Sequence, residues 1–69
     1  MNLLIVDDDL HVIEGIERNL DWERLHIDQA FQALGVPAAK KVLSSNPIDV
    51  MICDIEMPQE TGLDLLEWI

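Results

Sequence analysis

The sequence predicts an α/β fold, a parallel sheet with helices on both faces, and three observations carry that expectation. Two short apolar runs, "NLLIV" at 2–6 and "IDVMIC" at 48–53, each lead straight into acids. Stretches with helical periodicity follow both runs and fill the interval between them. Short connections then give the order β-α-β-α-β-α, which favours parallel strands joined by right-handed crossovers.

The run at 2–6 is continuously apolar, as expected for a strand covered on both faces. "LHVIEGIERNL", 10–20, places Val12, Ile13, Ile16 and Leu20 at spacings near 3.6, the pattern of an amphipathic helix. An aspartate just before it can cap the free N–H groups of the first turn. "DWERLHIDQAF" holds a turn and then a weaker strand near 26–31. Gly35 and Pro37 punctuate the chain, and Pro37 suits the first turn of a helix that runs through "AAKKVLSS" and stops before "NP". The second apolar run, 48–53, has strand character. "DIEMPQETG" reads as a loop, and "LDLLEWI" begins an apolar-rich helix. With no internal repeat, low-complexity tract or linker, residues 1–69 form one domain at most.

Composition narrows the function. A chain of 69 residues buries a smaller share of its surface than an ordinary domain, so its core is marginal unless another chain covers it. Its single cysteine, Cys53, admits no intramolecular disulfide and suits a reducing cytosol. His11 and His26 have no partner at zinc-ligand spacing, and His11 reads as an exposed helix residue. The apolar stretches are too short to span a bilayer, and no signal peptide is legible. These features predict a soluble, cytoplasmic chain without membrane contact. Fourteen acidic residues against four basic ones give a formal charge of −10, which argues against direct nucleic-acid binding and is compatible with a divalent cation. Lys40 and Lys41 read as a solvated helix face, Cys53 as a small buried strand residue, and Trp22 and Trp68 as core or interface anchors.

In parallel sheets the reactive site lies beyond the carboxyl ends of the strands. Asp7–Asp9 follow the first apolar run, and Asp54 and Glu56 follow the second. If those two strands are neighbours, their ends lie about 5 Å apart, and Asp7, Asp8 and Asp54 converge. Carboxylates about 4 Å apart repel by several kcal/mol at intermediate dielectric, so protonation or a cation must offset the repulsion. Oxygen ligands of this kind, completed by water, suit Mg²⁺. A carboxylate beside such a metal can attack phosphorus and become an aspartyl phosphate. Ser44, Ser45 and Thr61 have no histidine nearby in sequence to activate them.

Together, "LLIVDDDLHVIEGI" and "IDVMICDIEMPQETGLDLL" resemble the receiver domain of two-component response regulators over essentially the whole chain. The most specific pieces are the paired acids and the D-x-x-M-P-x-x-x-G segment, here Asp54, Met57, Pro58 and Gly62. "LDWERLHI" also resembles the end of the first helix in regulators whose output is an AraC-type DNA-binding domain. The resemblance implies a flavodoxin-like sheet in the order 2-1-3. It implies Asp54 as phospho-acceptor, Asp7 and Asp8 as the acidic pair holding Mg²⁺, and Glu56 lending its backbone carbonyl to the metal. Met57 and Pro58 would shape the loop, Gly62 would let it turn, and Asp9 would be a helix cap or an outer acid. The implied partners are a sensor histidine kinase and, through an output domain outside this chain, DNA.

Receiver domains also carry a Ser or Thr ending a fourth strand and a Lys ending a fifth, and 69 residues do not reach those strands. The chain is thus expected to be the N-terminal portion of a receiver. Its alternatives are an inactive half-domain or scaffold and, more remotely, a Mg²⁺-dependent phosphatase of the haloacid dehalogenase type. The latter starts from Asp7-x-Asp9, but it has Thr or Val two residues after the second acid, where His11 stands, and it leaves "DIEMP" unexplained. In the order 2-1-3 the strand at 48–53 is an apolar edge that invites another chain. The expected outcome is an oligomer or swapped dimer, seen as a dimer or larger species in sedimentation at micromolar concentration. A monomer with a cooperative melt contradicts that expectation.

Overall fold

A computed structural model describes residues 1–54 of the chain. Its elements are β1 (Asn2–Val6), α1 (Leu10–Asn19), β2 (Gln29–Ala33), α2 (Val36–Ser45) and β3 (Val50–Cys53). The three strands form a parallel sheet in the order β2-β1-β3, as expected. The loop from residue 55 onward, the helix at "LDLLEWI", and Glu56, Met57, Pro58, Thr61, Gly62 and Trp68 lie outside the described residues.

The centre of the sheet is taken by β1. Leu3, Leu4, Ile5 and Val6 of β1 are at most 2% exposed, and their alternation divides them between two cores. Leu4 and Val6 pack with Ala33, Val36 and Ala39 on the α2 side. Leu3 and Ile5 pack with Ile13 and Ile27 on the α1 side. A strand covered on both faces needs an unbroken apolar run, and β1 has one.

Polar groups set the register at both ends of the sheet. At the amino end the Asn2 backbone N–H donates to the Asp49 carboxylate at 2.7 Å and its side-chain amide to the Pro47 carbonyl at 2.8 Å. Asp49 N–H donates back to the Asn2 carbonyl at 2.9 Å. The Met1 ammonium donates to the His26 carbonyl and pairs with the Asp28 carboxylate, which holds the Asp28 carboxyl below its usual range. At the carboxyl end Asp7 N–H donates to the Ala33 carbonyl at 3.1 Å and Asp54 N–H to the Val6 carbonyl at 2.9 Å. The ladder therefore continues one residue beyond the strands, into the acids.

The helices begin where the sequence marks them. Asp9 caps α1, its carboxylate accepting from His11 N–H at 2.9 Å. Pro37 lies in the first turn of α2, where its missing N–H costs nothing. On α1, Ile13 is buried and Ile16 and Leu20 pack against the same core, but Val12 is 42% exposed. It is displaced by about 100° around the helix from Ile13, outside the stripe the sheet covers.

Two strands differ from expectation. The one near 26–31 begins only at Gln29 and extends to Ala33. Residues 22–27 instead close a tight helical turn, with Ile27 N–H donating to the Trp22 carbonyl at 3.0 Å and His26 N–H to the Glu23 carbonyl at 3.2 Å. That pair of bonds is the Schellman pattern, and it places His26 in the left-handed region at φ 56°. Ile27 is the residue of this segment that enters the core, while Trp22 stays 37% exposed and is no core anchor. The strand at 48–53 begins only at Val50, because Asp49 bonds to Asn2 and Ile48 packs against the α2-side core. Met51 and Cys53 face that core, whereas Val50 and Ile52 are 41% and 37% exposed. An apolar run at a sheet edge is covered on one face here, not on both.

Leu4→Ala opens a cavity at the centre of β1, and denaturant unfolding is expected to show a loss of about 2–5 kcal/mol. Val12→Ala should stay within about 0.5 kcal/mol of the parent chain, because among the described residues that side chain is exposed and belongs to neither core cluster.

Candidate functional site

The register of β1 and β3 builds the site. Val6 pairs with Cys53, so the next residues, Asp7 and Asp54, leave the sheet side by side at its carboxyl end. Asp8 follows Asp7, and each of the three carboxylates offers an oxygen within 4.8 Å of the others. Asp7 and Asp54 are half-buried and Asp8 is exposed. The convergence expected of Asp7, Asp8 and Asp54 is therefore present, while Glu56 lies outside the described residues.

Asp9 stands apart from the three. Its carboxylate caps α1, and its own N–H donates to an Asp7 carboxylate oxygen at 2.9 Å. This contact orients Asp7 and, among the described residues, is the hydrogen bond that favours its charged form. Burial dominates and raises the proton affinity of Asp7; the negative charges of Asp54 and Asp8, with a hydrogen bond that the protonated Asp7 carboxyl donates to the Asp8 carboxylate, raise it further. Negative charge is crowded at Asp7. Hard oxygen donors at this spacing, open to solvent on the Asp8 side, fit a divalent cation that keeps part of its water shell.

Cys53 borders the site without joining it. Its thiol donates to the Asp54 carbonyl at 3.4 Å, and burial, then the charges of Asp54 and Asp7, push its pKa up. A thiol held protonated is a poor nucleophile, which leaves it a packing role at the α2-side core, although it is half-buried there and not buried as expected. His11 is exposed on α1, as expected. Lys41 is exposed and Lys40 half-buried, so the pair is only partly a solvated face. Sequence reasoning missed the Asp9-to-Asp7 contact. Its only sequence signal is an acid two residues before another residue's N–H, a spacing common to ordinary turns.

Comparison with known proteins gives a consistent picture. The profile of the family described as "Response regulator receiver domain" matches residues 3–69. An uncharacterized response regulatory protein of Staphylococcus epidermidis is 29% identical over 65 residues, covering 94% of this chain and 26% of that protein. The crystal structure of a two component transcriptional regulator AraC from Clostridium phytofermentans is similar at a TM-score of 0.92 and 31% identity, over 97% of this chain and 52% of that one. The MaeR response regulator bound to beryllium trifluoride is similar at 0.79 and 32% identity, over 97% of this chain and 54% of that one. The chain thus spans about a quarter of the curated relative and about half of the solved chains.

The raised pKa of Asp7 carries a definite sign. Its proton binds more tightly in the folded state, so its contribution to stability is full below the unfolded pKa near 3.8 and is lost as pH rises through the folded value. Without added metal, Asp7→Asn is expected to raise the melting temperature at pH 7, and the gain over the parent chain should vanish as the pH falls toward 4. A constant difference across that range in calorimetry would refute the assignment.

Proposed function

This chain belongs to the response regulator receiver domain family, and from that premise we propose that Asp54 accepts a phosphoryl group from a sensor histidine kinase, with Mg²⁺ held by Asp7, Asp8, Asp54 and the Glu56 backbone carbonyl. The observation that carries the proposal is the meeting of the three carboxylates within 4.8 Å at the ends of two adjacent parallel strands. Beryllium trifluoride, which MaeR binds, is a tetrahedral stand-in for a phosphoryl group, and it supports the same chemistry here.

The residues divide the work. Asp54 supplies the nucleophile: a carboxylate oxygen attacks phosphorus, the bond to the donor histidine nitrogen breaks, and the imidazole leaves with a proton from solvent. The hydrogen bond from Asp54 N–H to Val6 ties the acceptor to the central strand and fixes its distance from Asp7. Asp7 and Asp8 provide the negative charge that binds the cation, and Asp9 N–H orients Asp7. When bound, Mg²⁺ neutralises phosphoryl oxygens that would otherwise be repelled by three acids.

In this reading the chain is a substrate that promotes its own phosphotransfer in the cytoplasm, not a conventional enzyme, and residues 1–69 are the N-terminal portion of a receiver. The transcriptional regulator among its structural relatives supports an output through DNA, made by a domain beyond these residues. The uncharged edge of β3, with Val50 and Ile52 exposed beside it, supports self-association of the chain.

Incubation with Mg²⁺ and acetyl phosphate should add one phosphoryl group at Asp54, and beryllium fluoride should give a bound fluorine signal. Asp54→Asn should lose both. Asp7→Asn and Asp8→Asn should weaken Mg²⁺ dependence by more than the roughly tenfold to hundredfold typical of an outer-shell partner. No adduct in the parent chain would support the inactive half-domain, and repeated turnover of a phosphate ester would support the phosphatase.

A further inference from the structure

A second feature lies toward the opposite end of α1 from the acids. Glu14, Glu17 and Arg18 of α1, with Trp22 of the following turn, line an open depression of about 360 Å³. Its walls are held in place. The Trp22 indole N–H donates to the Glu17 carbonyl at 3.1 Å, which fixes the ring while 37% of the residue stays exposed. A Glu17 carboxylate oxygen accepts from the Gln32 side-chain amide of β2 at 2.9 Å, which fixes that carboxylate without neutralising it. Glu14 is exposed and sits three residues before Glu17, on the same side of the helix.

We propose that this depression binds the guanidinium group of an arginine side chain presented by a partner protein. A tryptophan ring attracts a cation placed over it, and a ring already fixed loses no rotamer freedom on binding. The two glutamates outnumber Arg18, so the lining carries net negative charge, and the formal charge of −10 draws a basic partner toward it. A planar guanidinium can stack on the indole and donate to a carboxylate at once, which the compact and strongly hydrated lysine ammonium does less well. Nucleic acid is the wrong sign for such a lining. None of these residues belongs to the phosphoryl-acceptor site, so the proposal stands or falls independently of it.

The test uses the full chain and N-acetyl-arginine methylamide as probe, followed by nitrogen-15 NMR. The Trp22 indole signal is assigned by comparison with Trp68→Phe. The expected result at low salt is a saturable shift of the Trp22 indole and of the amides of Glu14, Glu17, Arg18 and Gln32, with a dissociation constant in the millimolar range. Glu14→Gln with Glu17→Gln should weaken binding about tenfold, whereas Glu23→Gln, removing an acid of the adjacent turn, should leave it unchanged. Glu14→Gln alone changes an exposed residue, so it keeps the test valid should the double variant unfold, and it should still weaken binding. N-acetyl-lysine methylamide should bind several-fold more weakly. A shift that does not saturate, one spread over the whole acidic surface, equal binding of the lysine probe, or full binding after Trp22→Leu would each overturn the proposal.

Discussion

The structure depends on β1 being paired on both sides. A strand between two parallel neighbours exposes no backbone edge, and its side chains enter apolar layers above and below, so it must be apolar without interruption. Residues Leu3 to Val6 meet that demand, and their near-complete burial makes β1 the axis about which the helices and other strands are arranged. The same placement has a consequence for chemistry. Whatever follows the central strand emerges beside whatever follows its neighbours, because parallel strands end on the same side. Asp7 and Asp54 are far apart in sequence and adjacent in space for that reason alone.

Bringing those acids together works against the charged form of Asp7. Asp9 N–H stabilises the Asp7 carboxylate, while burial and the neighbouring charges act against it and dominate. The hydrogen bonds from Asp7 N–H to Ala33 and from Asp54 N–H to Val6 keep the backbone from relaxing the repulsion by moving apart. A divalent cation would offset this crowding, which is why the cation and the phosphoryl group belong together in the proposed function. Cys53 feels the same field, with the opposite outcome for reactivity, since its thiol is kept protonated and inert.

Several elements were legible because one local rule governed each. The apolar run of β1, the cap at Asp9, the proline in the first turn of α2 and the acid pair all follow from propensities that act within a few residues. The second strand was displaced because "LHI" has strand-like composition while the chain spends it on closing a turn, with His26 in the left-handed region. Val12 belonged to the apolar pattern of α1 yet remained exposed, since periodicity marks a wide stripe and packing selects only part of it. In β3, the apolar run was read as strand throughout, but Asp49 bonds to Asn2 and shortens it from the front.

By itself, the sequence determined the order of elements through β3, the apolar run of β1 and the identity of the acids, because those rest on hydrophobic patterning and local hydrogen bonding. Tertiary structure decided how closely those acids approach, which way the Asp7 proton affinity moves, and which face of β3 is covered. It also placed Trp22, Glu17 and Gln32 in one fixed arrangement. These are properties of pairs distant along the chain, and only strand order and register bring their partners within reach. "VDDDLHV" shows the division most directly: the three aspartates are adjacent in sequence, yet Asp9 caps the helix while Asp7 and Asp8 face Asp54 across the sheet.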